Sequence, residues 1–150
     1  HGIIVEGLSN CLVKFSKCCS PVPGDDIVGF ITRGYGVSVH RADCPNVLRS
    51  RDNPAEAGRW IRVSWADKTS ESYHTMLQVV AKDRISLIVD VSTVLSSTKT
   101  RVLSLNARST PDGFALLDLG IEVCGRDQLK TVMSRLEQIQ GVMKVTRPAG

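Results

Sequence analysis

The run Leu103-Ser104-Leu105-Asn106-Ala107-Arg108, then Pro111-Asp112-Gly113, then Ala115-Leu116-Leu117-Asp118-Leu119-Gly120-Ile121-Glu122-Val123 decides the fold of the second half of this chain. Leu103, Leu105 and Ala107 alternate with polar neighbours, and so do Leu117, Leu119, Ile121 and Val123. A period of two is the mark of a half-buried strand, and Pro-Asp-Gly is a turn sequence, so the run predicts a hairpin. Upstream, Tyr73 to Ala81 reads as a further strand. Leu87, Ile88, Val91, Val94 and Leu95 then recur at helical spacing and predict a helix over Ile85–Ser97. Its β-branched residues lower its intrinsic propensity, so it must rely on packing. Downstream, Leu129, Val132, Met133, Leu136 and Ile139 repeat the helical spacing, Gly141 ends that helix, and Met143 and Val145 begin a last short strand.

The resulting order, βαββαβ, is a ferredoxin-like arrangement with two helices on one face of an antiparallel sheet. Its other face needs solvent or a partner. Residues 1–66 read differently, as short strands and turns. Ile3 to Val5 and Cys11 to Phe15 flank Gly7-Leu8-Ser9-Asn10. Ile27 to Arg33 and Val37 to His40 flank Gly34-Tyr35-Gly36, a hairpin signal. Asp43 is placed to cap a helix from Cys44 to Arg51 with Pro45 in its first turn, and Arg59 to Trp65 is strand-like. The polar run Asp67 to Ser72 separates the two patterns. The expectation is an α+β chain: a small strand-rich module at 1–66, a linker at 67–72 and a βαββαβ domain at 73–150.

Composition narrows the function. The formal charge is +4 over 150 residues, and each half carries a similar small excess, so neither is a strongly basic nucleic-acid domain by total charge. No apolar run approaches the roughly 20 residues that cross a bilayer. The chain starts at His1, which points to a fragment or processed product. Five cysteines is an odd number and two are adjacent, which argues against a secreted disulfide framework and for a reducing compartment.

Chemistry-bearing residues concentrate between Lys17 and Asn46. Cys18, Cys19, His40 and Cys44 supply the four soft ligands of a structural zinc site. Adjacent cysteines in a regular strand point to opposite faces, so both reach one ion only at a kink, which Pro21 and Pro23 can supply. Two other readings stand beside zinc: buried, hydrophobe-like thiols with His40 on a polar face, and a redox thiol beside Lys17. Cys11 and Cys124 lie on apolar strand patterns and read as core. A Cys-His catalytic pair would need a larger scaffold with an orienting third group, so a binding module is expected rather than an enzyme.

Lys14, Lys17, Arg33, Arg41, Arg49 and Arg51 are the candidate phosphate contacts, with Phe15 and Tyr35 near them; a solvated surface is the competing reading. A second candidate site is the turn Asp83-Arg84-Ile85-Ser86-Leu87. Asp83 can cap the helix, and free N–H groups at a helix start attract an anion. An ordinary capped turn accounts for the same residues. His74 reads as exposed, and Trp60 and Trp65 as packing anchors.

Taken together, Cys18-Cys19-x-Pro21-x-Pro23-Gly24-Asp25-x-Ile27-x-Gly29 and Arg33-Gly34-x-Gly36-Val37-x-Val39-His40-x-x-Asp43-Cys44 resemble the C-terminal regulatory region of long RelA/SpoT-family proteins, the bacterial (p)ppGpp synthetases and hydrolases of the stringent response. The second module, with Asp83-Arg84 leading into a helix, the Asp112-Gly113 hairpin and Gly141-Val142-x-x-Val145-x-Arg147, resembles the ACT domain that closes those proteins. The resemblance implies a conserved-cysteine, zinc-finger-like module with its metal positions at Cys18, Cys19, His40 and Cys44. It implies contact with ribosomal RNA and with the protein's own catalytic domains, and a cytoplasmic, bacterial setting. It also implies an ACT domain that forms a homodimer or binds a branched-chain amino acid. No GTP or ATP chemistry and no bound nucleotide are expected of this region. The family often has Gly where this chain has Ser86, which sets amino-acid binding apart from the other expectations.

Overall fold

A computed structural model describes residues 2–7, 11–34, 36–66 and 72–148. The chain divides into two compact units, one ending at residue 71 and the other spanning 72–148. The expected linker falls almost wholly outside the described residues, as do Leu8 to Asn10 and Tyr35 of the two expected turns.

The second unit is βαββαβ: β7 (Tyr73–Lys82), α2 (Leu87–Ser97), β8 (Arg101–Ser109), β9 (Phe114–Val123), α3 (Arg126–Glu137) and β10 (Val142–Thr146). The sheet order is β10-β7-β9-β8, with every pair antiparallel. Its centre is the ten-residue ladder of β7 on β9, where Leu77 faces Leu119 and Val79 faces Leu117. These side chains are fully buried under Leu87, Val91 and Leu95 of α2 and Leu129, Val132 and Leu136 of α3. Spacings of three and four place each trio on one helical stripe, so the apolar pattern alone generates this layer.

The edge strand β8 departs from the simple alternation. A bulge between Val102 and Ser104 shifts its register, and all nine of its residues are exposed. The helix α2 starts two residues later than the spacing suggests, because Ser86 takes a left-handed conformation (φ 70°) and forms its N-cap without a side-chain bond. Asp83 therefore does not cap α2; its carboxylate accepts from Ser109 Oγ at 2.7 Å.

The first unit comprises β1 (Ile3–Val5), β2 (Leu12–Phe15), β3 (Ile27–Ile31), β4 (Gly36–Arg41), α1 (Pro45–Arg51), a 3-10 turn at Ala57–Arg59, β5 (Trp60–Ile61) and β6 (Val63–Trp65). The β3–β4 hairpin forms as its sequence suggests. The strands before it do not pair with each other: β2 lies parallel to β4 and β1 pairs with β6. The segment read as one strand over Arg59–Trp65 is split, with β5 on β3 and β6 on β1. Ile3, Val37, Val39 and Val63 form its core, flanked by Phe15, Ile61 and Trp65. Gly29 sits where a Cβ would lie 2.8 Å from Val63 and 2.9 Å from Val37, so the sheet can close on its neighbours only over a glycine.

Candidate metal centre and a second candidate cavity

Three local structures bring the soft side chains together. After β2 the chain makes a helical turn in which Ser20 N–H donates to the Ser16 carbonyl at 2.9 Å, and Ser20 itself has φ 45°. Cys18 and Cys19 sit in this turn rather than in a strand, so neighbouring side chains diverge by about 100° instead of 180° and both reach one point. The kink thus lies at Ser16–Ser20, ahead of the prolines. His40 comes from β4, and Cys44 is the N-cap of α1, held by its N–H to the Arg41 carbonyl at 3.0 Å. Asp43 makes no cap; its carboxylate is exposed and lies 3.4 Å from Arg41 Nε.

The four ligand atoms all lie within 4.8 Å of one another. Cys18 Sγ is 3.6 Å from Cys44 Sγ, 3.9 Å from Cys19 Sγ and 3.4 Å from His40 Nδ1; Cys19 Sγ is 3.8 Å from the same nitrogen. Sulfurs about 2.3 Å from a tetrahedral ion stand about 3.8 Å apart, so these separations match the edges of a zinc tetrahedron. The Arg41 N–H donates to Cys19 Sγ at 3.3 Å. Burial pushes the Cys19 thiol up to about 12 against that opposing bond, with the neighbouring sulfurs adding to the rise. Burial alone lowers His40 from its ordinary value. Neutral imidazole is the ligating form, whereas the thiol must release its proton to bind. The donor set therefore fits zinc.

The cations divide. Lys14, Lys17, Arg33, Arg49 and Arg51 are exposed. Arg41 is not: it alternates with His40 onto the buried face of β4 and is 8% exposed, so it is withdrawn from the surface where the sequence placed it. Cys124 is also misplaced by its apolar neighbours: it is exposed, one residue beyond the end of β9. Cys11, half-buried, packs on the first core. Trp60 joins the packing around Cys19, Cys44 and Val47, and its ring lies edge-on to His40 at 5.8 Å.

A cavity of about 370 Å³ opens where β7 meets α2. Its walls include Asp83, Arg84, Ser86 and Leu87, the turn singled out by sequence, and also Ala107, Arg108 and Ser109 of β8. The β8 wall was not legible, because only the register of the β8–β9 hairpin brings it there. Ile85 projects outward, 92% exposed. Arg84 uses each of its three nitrogens: it pairs with Asp90 at 2.7 Å and donates to the carbonyls of Gln140 at 3.0 Å and Ile85 at 3.1 Å. It staples the turn to α2 and to the start of β10.

Comparison with known proteins fits this two-part organisation. Residues 69–147 match the ACT domain family and residues 3–66 match the family described as the RelA/SpoT RIS domain. The chain thus belongs to the ACT family, in the RIS–ACT pairing of the RelA/SpoT proteins. It is 38% identical over 149 residues, 99% of its length, to the GTP pyrophosphokinase of Escherichia coli strain K12, of which it covers 20%. It is 38% identical over 146 residues to the bifunctional (p)ppGpp synthase/hydrolase RelA of Mycobacterium tuberculosis, of which it covers 19%. The chain spans about a fifth of the length of these relatives. Among solved structures, the ACT domain from GTP pyrophosphokinase of Chlorobium tepidum aligns with 51% of this chain and 99% of its own, at 26% identity and a TM-score of 0.47. No helix among the described residues is long and apolar enough to cross a membrane.

Proposed function

We propose that this chain is the non-catalytic regulatory region of a bifunctional (p)ppGpp synthetase/hydrolase of the bacterial stringent response. In this reading it senses the ribosome and amino-acid supply and biases catalytic domains between two states. The observation that carries the reading is the alignment with GTP pyrophosphokinases across 99% of this chain, both modules in order. Zinc at Cys18, Cys19, His40 and Cys44 fixes the first module, and the exposed Lys14, Lys17, Arg33, Arg49 and Arg51 supply its RNA contacts. Each phosphate contact made through them steepens the salt dependence of binding. Purified chain mixed with ribosomes and sedimented across a salt series tests this. Retention that weakens steadily with salt is expected; no retention at any salt removes the RNA contact.

For the second module the geometry favours a homodimer over an amino-acid site. Strand β8 is a nine-residue open edge, and exposed Val102, Leu103 and Leu105 lie on it, with Ile88 and Val89 exposed on α2. An open apolar edge is a template for pairing. Against the amino-acid reading, each nitrogen of Arg84 already donates within the chain and Ser86 brings a side chain into the cavity wall. Light scattering is expected to give a dimer that Leu105→Lys breaks. Calorimetry with valine, leucine and isoleucine is expected to be silent.

A further inference from the structure

The three clustered sulfurs are not equivalent. Cys18 is half-buried, Cys19 is 2% exposed and Cys44 is fully buried. An oxidant from solvent therefore meets Cys18 first. The nearest sulfur to Cys18 is that of Cys44, at 3.6 Å and 26 positions along the chain. Cys19 is a poor partner for Cys18 although it is adjacent. A bond between neighbouring cysteines closes an eight-membered ring and strains the peptide between them out of its preferred geometry. Cys19 Sγ also accepts from the Arg41 N–H at 3.3 Å, a bond it would have to keep or lose on moving toward Cys18.

We propose that Cys18 and Cys44 form an oxidation site, closing a disulfide that is mutually exclusive with a metal on the same cluster. Hydrogen peroxide oxidises the Cys18 thiol to a sulfenic acid and is itself reduced, with one water released. The Cys44 sulfur then attacks Cys18 Sγ. The sulfenic hydroxyl leaves with the Cys44 proton as a second water, and the S–S bond forms. Two thiols lose two electrons and one peroxide gains them. The sulfurs need approach only from 3.6 Å to about 2.0 Å; Cys18 lies in the turn after β2 and Cys44 at the N-cap of α1, outside regular strand and helix. The disulfide ties the turn after β2 to the start of α1, two of the three segments the metal would tie; β4, which carries His40, is left out. The oxidised module therefore keeps a cross-link while its ligand set falls to Cys19 and His40, too few for a tetrahedral zinc. Only this last consequence rests on the metal reading above; the disulfide itself needs two sulfurs and an oxidant.

The test uses the whole chain, reduced, stripped of metal and then exposed to stoichiometric hydrogen peroxide. Thiol titration is expected to fall from five to three, and non-reducing peptide mapping to link Cys18 to Cys44. Cys19→Ser is expected to preserve the linkage, and Cys18→Ser and Cys44→Ser to abolish it. A Cys18–Cys19 bond, only sulfinic products, only links between chains, or no loss of thiols would overturn the proposal. Zinc uptake is measured separately on reduced and on oxidised wild-type chain. Uptake by the reduced form alone supports the exclusivity, and equal uptake by both forms overturns it. No uptake by either form refutes the metal reading and leaves the disulfide to stand or fall on the mapping.

Discussion

The two units reach a folded state by different routes. Among the described residues the second unit buries 16 hydrophobic side chains and the first buries eight, two of which are Cys19 and Cys44. The second is one four-stranded sheet under two helices; the first spreads its strands over a four-stranded and a two-stranded sheet. Small domains bury too little apolar surface to be comfortably stable without a staple. The thiol cluster joins three separate segments of the first unit, and nothing comparable is needed in the second. A staple that also carries reactive chemistry makes stability itself responsive to metal and oxidant, whereas the second unit's stability responds only to packing.

Metal removal should break this comparison most strongly. Structural zinc contributes on the order of 10 kcal/mol, comparable to the whole stability of a domain. Chelator is expected to lower the melting transition of the first unit far more than any single substitution does, leaving a weaker but still cooperative fold. Trp60 and Trp65 are the chain's two tryptophans and both lie in that unit, so their fluorescence reports on it alone. A tryptophan transition unmoved by chelator would show that the first unit holds without an ion. Conversely, Leu119→Ala empties a fully buried position of the central ladder and is expected to cost about 2–5 kcal/mol. Far-ultraviolet melting should register the loss while zinc stoichiometry stays unchanged.

Acidity sharpens the contrast next. In metal-free, reduced chain, burial keeps His40 below its ordinary 6.5, so the unfolded state takes up a proton that the fold refuses. Stability should fall as pH drops below about 6.5. Burial raises Cys19 from 9.0 to about 12, so the unfolded thiol ionises first. Stability should also fall as pH climbs from about 9 towards 12. Between the two limits a plateau is expected, measured by tryptophan fluorescence in urea titrations at each pH. With zinc present the acid limb should steepen, since the metal competes with protons for the thiolates. A flat profile over the whole range would mean that neither group is shielded in solution.

How much of this was readable in advance follows from the same difference. The second unit's strands and helices were legible because its core is made by periodicity, which a single sequence displays. Its exceptions arose where local backbone conformation or a bulge prevailed: Ser86 delays α2, and the extra residue near Leu103 exposes an edge. In the first unit the strands were visible but their partners were not. The parallel pairing of β2 with β4, and the division of Arg59–Trp65 between β3 and β1, are set by packing between distant segments. That Cys18, Cys19, His40 and Cys44 form one cluster was legible from residue type. The turn that makes Cys18 and Cys19 converge was not, because it depends on Ser20 adopting a conformation that serine rarely prefers. Arg41 was misjudged because one residue's parity on β4 decides whether it meets solvent or core.

The smallest expected effect concerns Ser86, and it separates strain from function in the second unit. A serine at φ 70° bears a left-handed penalty of about 1–2 kcal/mol, and its hydroxyl makes no capping bond in return. Glycine removes the penalty but adds freedom to the unfolded chain, worth about 0.5–1 kcal/mol. Ser86→Gly is therefore expected to stabilise by about 0.5–1 kcal/mol, read as a higher urea midpoint at unchanged slope. The same variant clears a side chain from the wall of the 370 Å³ cavity. If calorimetry with valine, leucine or isoleucine then shows binding where the parent chain shows none, the serine alone was closing the site. If the variant gains stability and stays silent, the decisive feature is Arg84. Each of its three nitrogens already donates, to Asp90, Ile85 and Gln140, so an incoming carboxylate would have to compete for a guanidinium whose position these bonds fix. The cavity is then a structural by-product of the turn, and the open edge of β8 is the feature of this unit left to explain its role.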